Sequence, residues 1–336
     1  LAFENELAPN TPARHQGRLA YVPDDLLPPT LVGPIFEKAQ ETSLVMRMGT
    51  PIEVDYGETS IPVTTARPEV GQVGVGTRNQ DREGYRKPVS GSAWDTKTFA
   101  PIKLATIVTA SDEFVRKNPH GLYTQMQGDL AYAIGRGVDL AVFHGKQPIN
   151  GQPLLGVEAT NVLANTPNVV QLPAGRASVY EALLTGYEIV VEDEDFTSWA
   201  VDPRFRARLI RDGAERDVNG NLVNPSDINL NAQSGNILGI RSEYGRAVAG
   251  DLGAATNSGI KVIGGDFTKL RYGFADEIRV KVSDQATLTD GAGNTVNLWQ
   301  TNQVALLIEV TMGWIVGEPD AFVAFRQAPP TPAFAA

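Results

Sequence analysis

Three histidines, His15, His120 and His144, carry the side chain best suited to proton transfer and metal ligation near neutral pH. They are scattered, and no HExxH or other paired spacing sets two of them on one helix face. The run GQVGVGT at 71–77 has the glycines of a phosphate-cradling loop. Their order differs from that motif, no Lys-Ser/Thr pair follows, and no helix opens after it to lend its N–H groups. Asp217, Asn219 and Asn221 have the spacing of the first ligands of a calcium loop. Leu222 stands where such a loop turns on glycine, and Ile228 stands where it needs a bidentate glutamate. No serine lies in a GxSxG elbow. With no cysteine in 336 residues, disulfides, thiolate metal sites and thiol nucleophiles are excluded. Nucleophilic, redox and phosphoryl-transfer enzymes all lack their parts. The sequence therefore predicts a protein that is not an enzyme, with no cofactor and no metal.

Charge is arranged in blocks that suit contact better than catalysis. A net charge of −10 argues against a surface coated for nucleic acid, since phosphate binding needs Lys and Arg. Residues 66–97 nevertheless hold six bases, Arg67, Arg78, Arg82, Arg86, Lys87 and Lys97, against four acids, Glu69, Asp81, Glu83 and Asp95. The run EIVVEDED at 188–195 holds five acids and no base. Opposite blocks invite contact between copies of one chain. The contact candidates are Arg67, Arg78, Arg82, Arg86, Lys87 and Trp94 on one side, and Glu192, Asp193, Glu194 and Asp195 on the other. The plainer reading makes both blocks solvated faces.

The elements that must position these blocks are legible in the apolar pattern. Hydrophobic residues make up 42% and charged residues 20%, which suits a globular fold. The length suggests two lobes, one of them inserted. No apolar run approaches the ~20 residues that span a bilayer, and the first residues lack the basic and apolar regions of a signal peptide. Residues 1–30 carry five prolines and read as an extended arm. Leu31, Ile35, Phe36, Ala39, Leu44 and Val45 are spaced as a short amphipathic helix, and IEVDY and TSIPVTTA read as strands. Residues 66–97, with five glycines, cannot form a core. They read as a long hairpin with VGQVGVGT going out, NQDREGYRKP at the tip and SAWDTKTFA returning, ordered only against something else.

KLATIVTA then reads as a strand, and Ser111-Asp112-Glu113 as a turn or helix start. Leu122, Met126, Leu130, Ile134, Val138 and Val142 recur every four residues, which predicts one helix from Pro119 to Phe143, roughly 36 Å long. Gly128, Gly135 and Gly137 inside it each cost about 1 kcal/mol, and close approach of another backbone is the expected compensation. Gly145 is placed to cap it. Beyond it, Val179, Ala182 and Leu183 mark the inner face of a helix within 177–191, and Asp202-Pro203 opens another after the strand SWAV. Residues 214–227 are turn chemistry, and a hairpin turns at Asp290-Gly291. Val304, Leu306, Ile308, Val310, Met312, Trp314 and Val316 alternate on one face of a long strand. The long helix reads as a beam between sheet and inserted lobe.

With these elements in this order, the chain resembles the major capsid proteins of tailed phages, the Hong Kong 97 fold family, over nearly its whole length. The residues that carry the resemblance are IPVTTARPEVGQVGVG and FAPIKLATIVTASDEF as the two sides of an extended loop, PHGLYTQMQGDLAYAIGRGVDLAVFHG as a spine helix, and GGDFTKLRYGFADEIRVKVSD and LLIEVTMGWIVGEPDAFVAFR as closing strands. The resemblance implies an α+β fold. It would have an N-terminal arm (1–30), a peripheral domain in three parts (31–57, 98–146 with the spine helix, and 260–328), an extended loop hairpin (58–97) laid over an adjacent subunit, an axial domain (147–259) and a C-terminal tail (329–336). It implies a major capsid protein that self-assembles into the hexamers and pentamers of an icosahedral head around double-stranded DNA. Assembly would occur in the bacterial cytoplasm, and the product would reside in the virion. The implied partners are copies of itself, portal, decoration and scaffolding proteins, and DNA held by diffuse contact, with no membrane. The alternative with the same fold is an encapsulin-type shell enclosing cargo enzymes. The proline-rich arm and the lack of an early cargo-docking helix favour the virus.

Some members of the family weld subunits by an isopeptide bond between a loop lysine and an asparagine, with a glutamate as base. Family spacing counted from Pro319 lands on Asn302 and Glu309, and on the loop it lands on Thr96, beside Lys97. Seven residues of extended strand separate Asn302 and Glu309 by roughly 23 Å, so the three could meet only across subunits. The plainer reading leaves Lys97 a solvated loop lysine, Asn302 a residue opening a strand and Glu309 a polar-face residue.

Overall fold

A computed structural model describes residues 39, 42–66, 68–71, 89–117, 119–174, 178–213, 229–230, 234–275, 279–289 and 293–327. Helices and strands are mixed, and the chain divides into two compact units. The smaller holds Leu1–Lys38, Ala105–Tyr132 and Glu277–Val310; the larger holds Ala39–Leu104, Ala133–Asp276 and Thr311–Ala336. The arm, the tail and the turn at 214–227 lie outside the described residues.

The long helix runs Pro119–His144, as the four-residue repeat predicts. Leu130, Ile134, Val138 and Val142 of the stripe are buried. From Gly137 to Phe143 every residue is buried, so the stripe widens to the whole circumference and this end is embedded on all sides. Gly145 closes the helix at φ +62°, its N–H reaching the Ala141 carbonyl at 2.8 Å. The interior glycines meet the expectation of close backbone approach only in part. A methyl on Gly135 would lie 3.5 Å from the Ala39 carbonyl oxygen and the Ser43 nitrogen, an ordinary contact. One on Gly137 would meet only the Leu104 side chain, and one on Gly128 nothing described within 4 Å.

In the larger unit seven strands stand in the order Asn168–Leu172, Phe322–Gln327, Ile260–Gly265, Ser198–Val201, Ile240–Tyr244, Ser234–Ile237 and Asn229–Leu230. The first pair is parallel, as is Ser198–Val201 with Ile240–Tyr244, and the other pairs are antiparallel. Helix Tyr180–Val191 lies on this sheet, and Val179, Leu183 and Val190 share a core with Trp199, Val262 and Phe325. Gly186 sits against the Phe325 ring, where any β-carbon would overlap it. Asp202 caps the following turn by accepting from the Arg204 N–H, and helix Arg206–Gly213 continues from it, as the Asp-Pro pair predicts. The sheet takes strands from both 147–259 and 260–328. A boundary at 259 therefore runs through continuous hydrogen bonding.

In the same unit, Leu270–Phe274 pairs with Met312–Val316 of the long strand Gln303–Val316, and Thr50–Pro51 lies parallel to it. The Ile52 N–H adds one bond to the Tyr272 carbonyl at 2.7 Å, and pairing stops there. IEVDY is therefore not the strand its β-branched residues suggest. The hairpin pairs Thr59–Ala66 with Ala93–Phe99. Its return strand is the one predicted, but its outgoing strand is TSIPVTTA, not VGQVGVGT. β-Branched residues stiffen a ladder that glycines weaken. Residues 68–71 carry no strand, and 72–88, with the predicted tip, lie outside the described residues.

In the smaller unit, Arg279–Ser283 pairs with Ala305–Glu309 of the long strand, and Thr287–Thr289 pairs with Thr295–Asn297 across the predicted turn. Strand Ile102–Ser111 leads directly into helix Asp112–Lys117. Along Gln303–Val316 all seven alternating residues from Val304 to Val316 are buried, as the pattern predicts.

Candidate functional site

Lys97 lies on the return strand of the hairpin, opposite Ile61. Trp94, three residues earlier, is 71% exposed, while Phe99 at the strand's end is buried with Val54 and Ile315. The hairpin thus dips into the body at its base and stands clear of it further out. The Lys97 ammonium donates to the Gly317 carbonyl at 2.5 Å, tying that base to the turn after the long strand. The next residue, Glu318, accepts from Lys269 Nζ at 2.9 Å, and Lys269 also reaches Glu194 at 3.3 Å. A hollow of about 290 Å³ beside these groups is lined by Ile61, Pro62, Val63, Arg271 and Ile315.

A larger groove of about 840 Å³ shares Lys269 and Glu318 with that hollow. Ile189, Val191, all four of Glu192, Asp193, Glu194 and Asp195, and Asp320 line it. Four carboxylates follow the C-terminal end of a helix, where the macrodipole is itself negative, so the groove holds an unfavourable concentration of like charge. A hydrogen bond with Glu318, then burial, then the Glu318 charge hold the Glu194 carboxyl above its usual range against the pull of Lys269. At Glu318 burial pushes upward, but the bonds to Glu194 and Lys269 and the charges of Lys269 and Lys97 outweigh it, and its carboxyl is lowered. When the pair holds a single proton, Glu194 is the member that carries it and Glu318 the one that accepts. The basic counterparts Arg67, Arg78, Arg82, Arg86 and Lys87 lie outside the described residues.

Asn302 and Glu309 belong to the smaller unit and Lys97 to the larger. Asn302 adopts φ +48°, a left-handed conformation that asparagine tolerates, and its carbonyl accepts from the Asp112 N–H at 2.9 Å. Glu309 points away from the buried stripe and meets Lys281 Nζ at 3.5 Å.

Sequence reasoning missed Asp139. This residue of the long helix is 5% exposed, and it accepts from Ser43 Oγ at 2.5 Å, Leu44 N at 3.0 Å and Val45 N at 3.1 Å. A single acid inside the apolar run VDLAVF was the available signal. Asn161 was missed too: its carbonyl accepts from Trp314 Nε1 at 2.8 Å and its Oδ1 from Val316 N at 3.3 Å. His144 faces the Val248 carbonyl at 3.0 Å, and burial pushes its pKa down. Among the described residues no group of three His, Cys, Asp or Glu could hold a metal, and no helix is long and apolar enough to cross a membrane.

The model of the phage capsid family matches residues 24–326. The probable major capsid protein gp17 of Mycobacterium phage L5 is 30% identical over 306 residues, covering 86% of this chain and 85% of its own. The probable major capsid protein gp17 of Mycobacterium phage D29 is 28% identical, covering 86% of each chain. A solved chain from Gordonia phage Cozz is 31% identical with a TM-score of 0.68, covering 86% of this chain and 87% of its own. With most of its length matched, and with its sheets and helices superposing on such a chain, the protein belongs to the phage capsid family.

Proposed function

We propose that this chain is the major capsid protein of a tailed phage and self-assembles into the hexamers and pentamers of an icosahedral head around double-stranded DNA. The observation that carries this reading is the family match along residues 24–326. An enzyme-enclosing nanocompartment is not favoured, because the named relatives are phage capsid proteins. Negative-stain microscopy of the purified full chain tests it. Closed shells that hold nucleic acid in infected cells are expected. A monodisperse monomer under all assembly conditions overturns the reading, and shells packed with an enzyme turn it toward the nanocompartment.

In this reading residues 1–30 are an arm that laces subunits together, 58–97 are the extended loop laid on a neighbour, and 329–336 are a tail. The seven-stranded sheet forms the heart of an axial lobe, while the long helix and long strand form the peripheral spine. The basic residues Arg67, Arg78, Arg82, Arg86 and Lys87, with Trp94, contact a neighbouring copy, and the groove of Glu192, Asp193, Glu194 and Asp195 receives such a contact by charge complementarity. Portal, decoration and scaffolding proteins complete the particle, which assembles in the bacterial cytoplasm.

The family's cross-link is carried over to Lys97, Asn302 and Glu309 on different copies. The neutral Lys97 amine attacks the Asn302 side-chain amide carbon, a nitrogen–carbon bond forms, and ammonia leaves. Glu309 takes the amine proton and returns it to the leaving group. Lys97 must first release the Gly317 carbonyl. Denaturing gels of intact coats are expected to show ladders, and a single band at monomer mass removes the cross-link while leaving the shell reading intact.

A further inference from the structure

We propose that the outer face of helix Arg206–Gly213 docks in the acidic groove of a second copy of this chain, so that successive copies join head to tail through the two ends of helix Tyr180–Val191. Phe205, Leu209 and Asp212 are buried on the inner side, which leaves Arg204, Ala207, Ile210 and Arg211 on the outer face at helical spacing. Ile210 is 51% exposed. Beside it stand Arg206, whose guanidinium lies 5.8 Å from the centre of the Tyr244 ring, and Arg208, which donates to the Pro173 carbonyl at 2.6 Å. Arg204 is already matched by Asp202 and Asp251. Arg211 meets no acid among the described residues, and Glu215 and Asp217 lie outside them.

The groove has the complementary lining. Ile189 and Val191 expose aliphatic surface in it, and Lys269 is taken up by Glu194 and Glu318. That leaves Glu192, Asp193, Asp195 and Asp320 without a cation among the described residues. An isoleucine flanked by arginines thus meets aliphatic side chains flanked by carboxylates, and each side relieves the like-charge crowding of the other. The two surfaces belong to opposite ends of one helix. Asp212 accepts from the Val179 N–H and, at 3.4 Å, from the Ser178 hydroxyl, which sets Arg206–Gly213 against the start of Tyr180–Val191. The acids follow that helix's last residue. Its 12 residues hold the two ends about 18 Å apart, so one copy does not bring its own arginines to its own groove.

Two unlike patches on one molecule make a heterologous contact, which repeats from copy to copy and either closes into a ring or runs on as a filament. The inference rests on the capsid reading and deepens it, by naming the element that supplies cations to the groove within one hexamer or pentamer. The bases of the hairpin are the competing occupant, and exposed Trp94 marks that hairpin among the described residues.

The chain has no native cysteine, so introduced thiols report this contact cleanly. Ile210→Cys and Val191→Cys both alter exposed side chains and should leave the fold intact. Shells of the double variant, treated with a short bismaleimide and run on a denaturing gel, are expected to give a ladder that ends at pentamers and hexamers. Each single variant alone should stay at monomer mass, and the two co-expressed should give dimers and nothing larger. Arg211→Glu in the double-cysteine chain should lower the linked product about tenfold, through repulsion from the groove. Shells with no linked product overturn the docking and leave the capsid reading intact. So does a ladder from Trp94→Cys/Val191→Cys in place of one from Ile210→Cys/Val191→Cys. Should the double variant fail to assemble, the co-expressed single variants decide: linked dimers support the contact, and their absence overturns it. Microscopy of wild-type shells remains the separate check on the capsid reading.

Discussion

The hairpin Thr59–Ala66/Ala93–Phe99 and the seven-stranded sheet are built from similar residues and hold their order by different means. Every residue of Ser198–Val201 is buried, and Trp199 is 0% exposed, with its Nε1 donating to the Ile237 carbonyl at 3.1 Å and its ring 4.4 Å from Phe196. Along Ala93–Phe99 only Phe99 is buried. A strand with so little apolar contact gains little from the hydrophobic effect within its own chain. The sheet is self-sufficient, whereas the hairpin is pinned at its base by Phe99 and Lys97 and offers the rest outward. Under the proposed assembly, such a division would separate the residues that fold the subunit from those that join it to others.

The contrast can be broken at several points. Trp199→Ala should cost about 3–5 kcal/mol, read as a lower urea midpoint, while Trp94→Ala should stay within about 0.5 kcal/mol and instead lower the yield of shells. Equal costs at the two tryptophans would remove the distinction. Lys97→Met should cost about 1 kcal/mol, a charged hydrogen bond discounted for partial exposure, and should reduce amide protection in the hairpin without touching the sheet. Gly128→Ala, where nothing described blocks a methyl, should raise stability by up to about 1 kcal/mol. Should it lower shell yield as well, that face of the long helix is where a neighbour sits. The smallest effect is expected at Glu194→Gln. Because the Glu194 pKa is raised, its ionisation weakens the fold as pH rises through that value. The neutral amide can still donate to Glu318, so stability near pH 7 should rise by a few tenths of a kcal/mol after solvent screening, and the pH dependence should flatten.

Local patterns were legible in the sequence and distant pairings were not. The four-residue repeat located the long helix and Gly145 its end, the two-residue alternation located the long strand, and Asp202-Pro203 marked the opening of Arg206–Gly213, because each is fixed by neighbours in the chain. The outgoing side of the hairpin was misplaced because glycines in GQVGVGT look extended on their own, yet the ladder goes to the stiffer TSIPVTTA. IEVDY has strand composition, yet residues 52–56 carry no strand. The acidic groove was visible as EIVVEDED, but Lys269 and Glu318, which organise it, come from 75 and 124 residues beyond Glu194 in a fold no periodicity reveals. Asp139 stayed hidden because a lone acid on a helix looks solvated until Ser43 and the start of a second helix arrive above it.

The parallel pairing of Asn168–Leu172 with Phe322–Gln327 bears on how the protein is made. The earlier strand lies at the sheet's edge, and its partner is separated from it by about 150 residues of sequence. At roughly 5–20 residues per second, a ribosome needs on the order of ten to thirty seconds to deliver that partner after the first strand has been synthesised. Ile260–Gly265, between Phe322–Gln327 and Ser198–Val201, also waits for it on one side. The nascent subunit thus carries open strand edges until Phe322–Gln327 has emerged, so a chain made short of that point cannot yet present the finished lobe to its fellows.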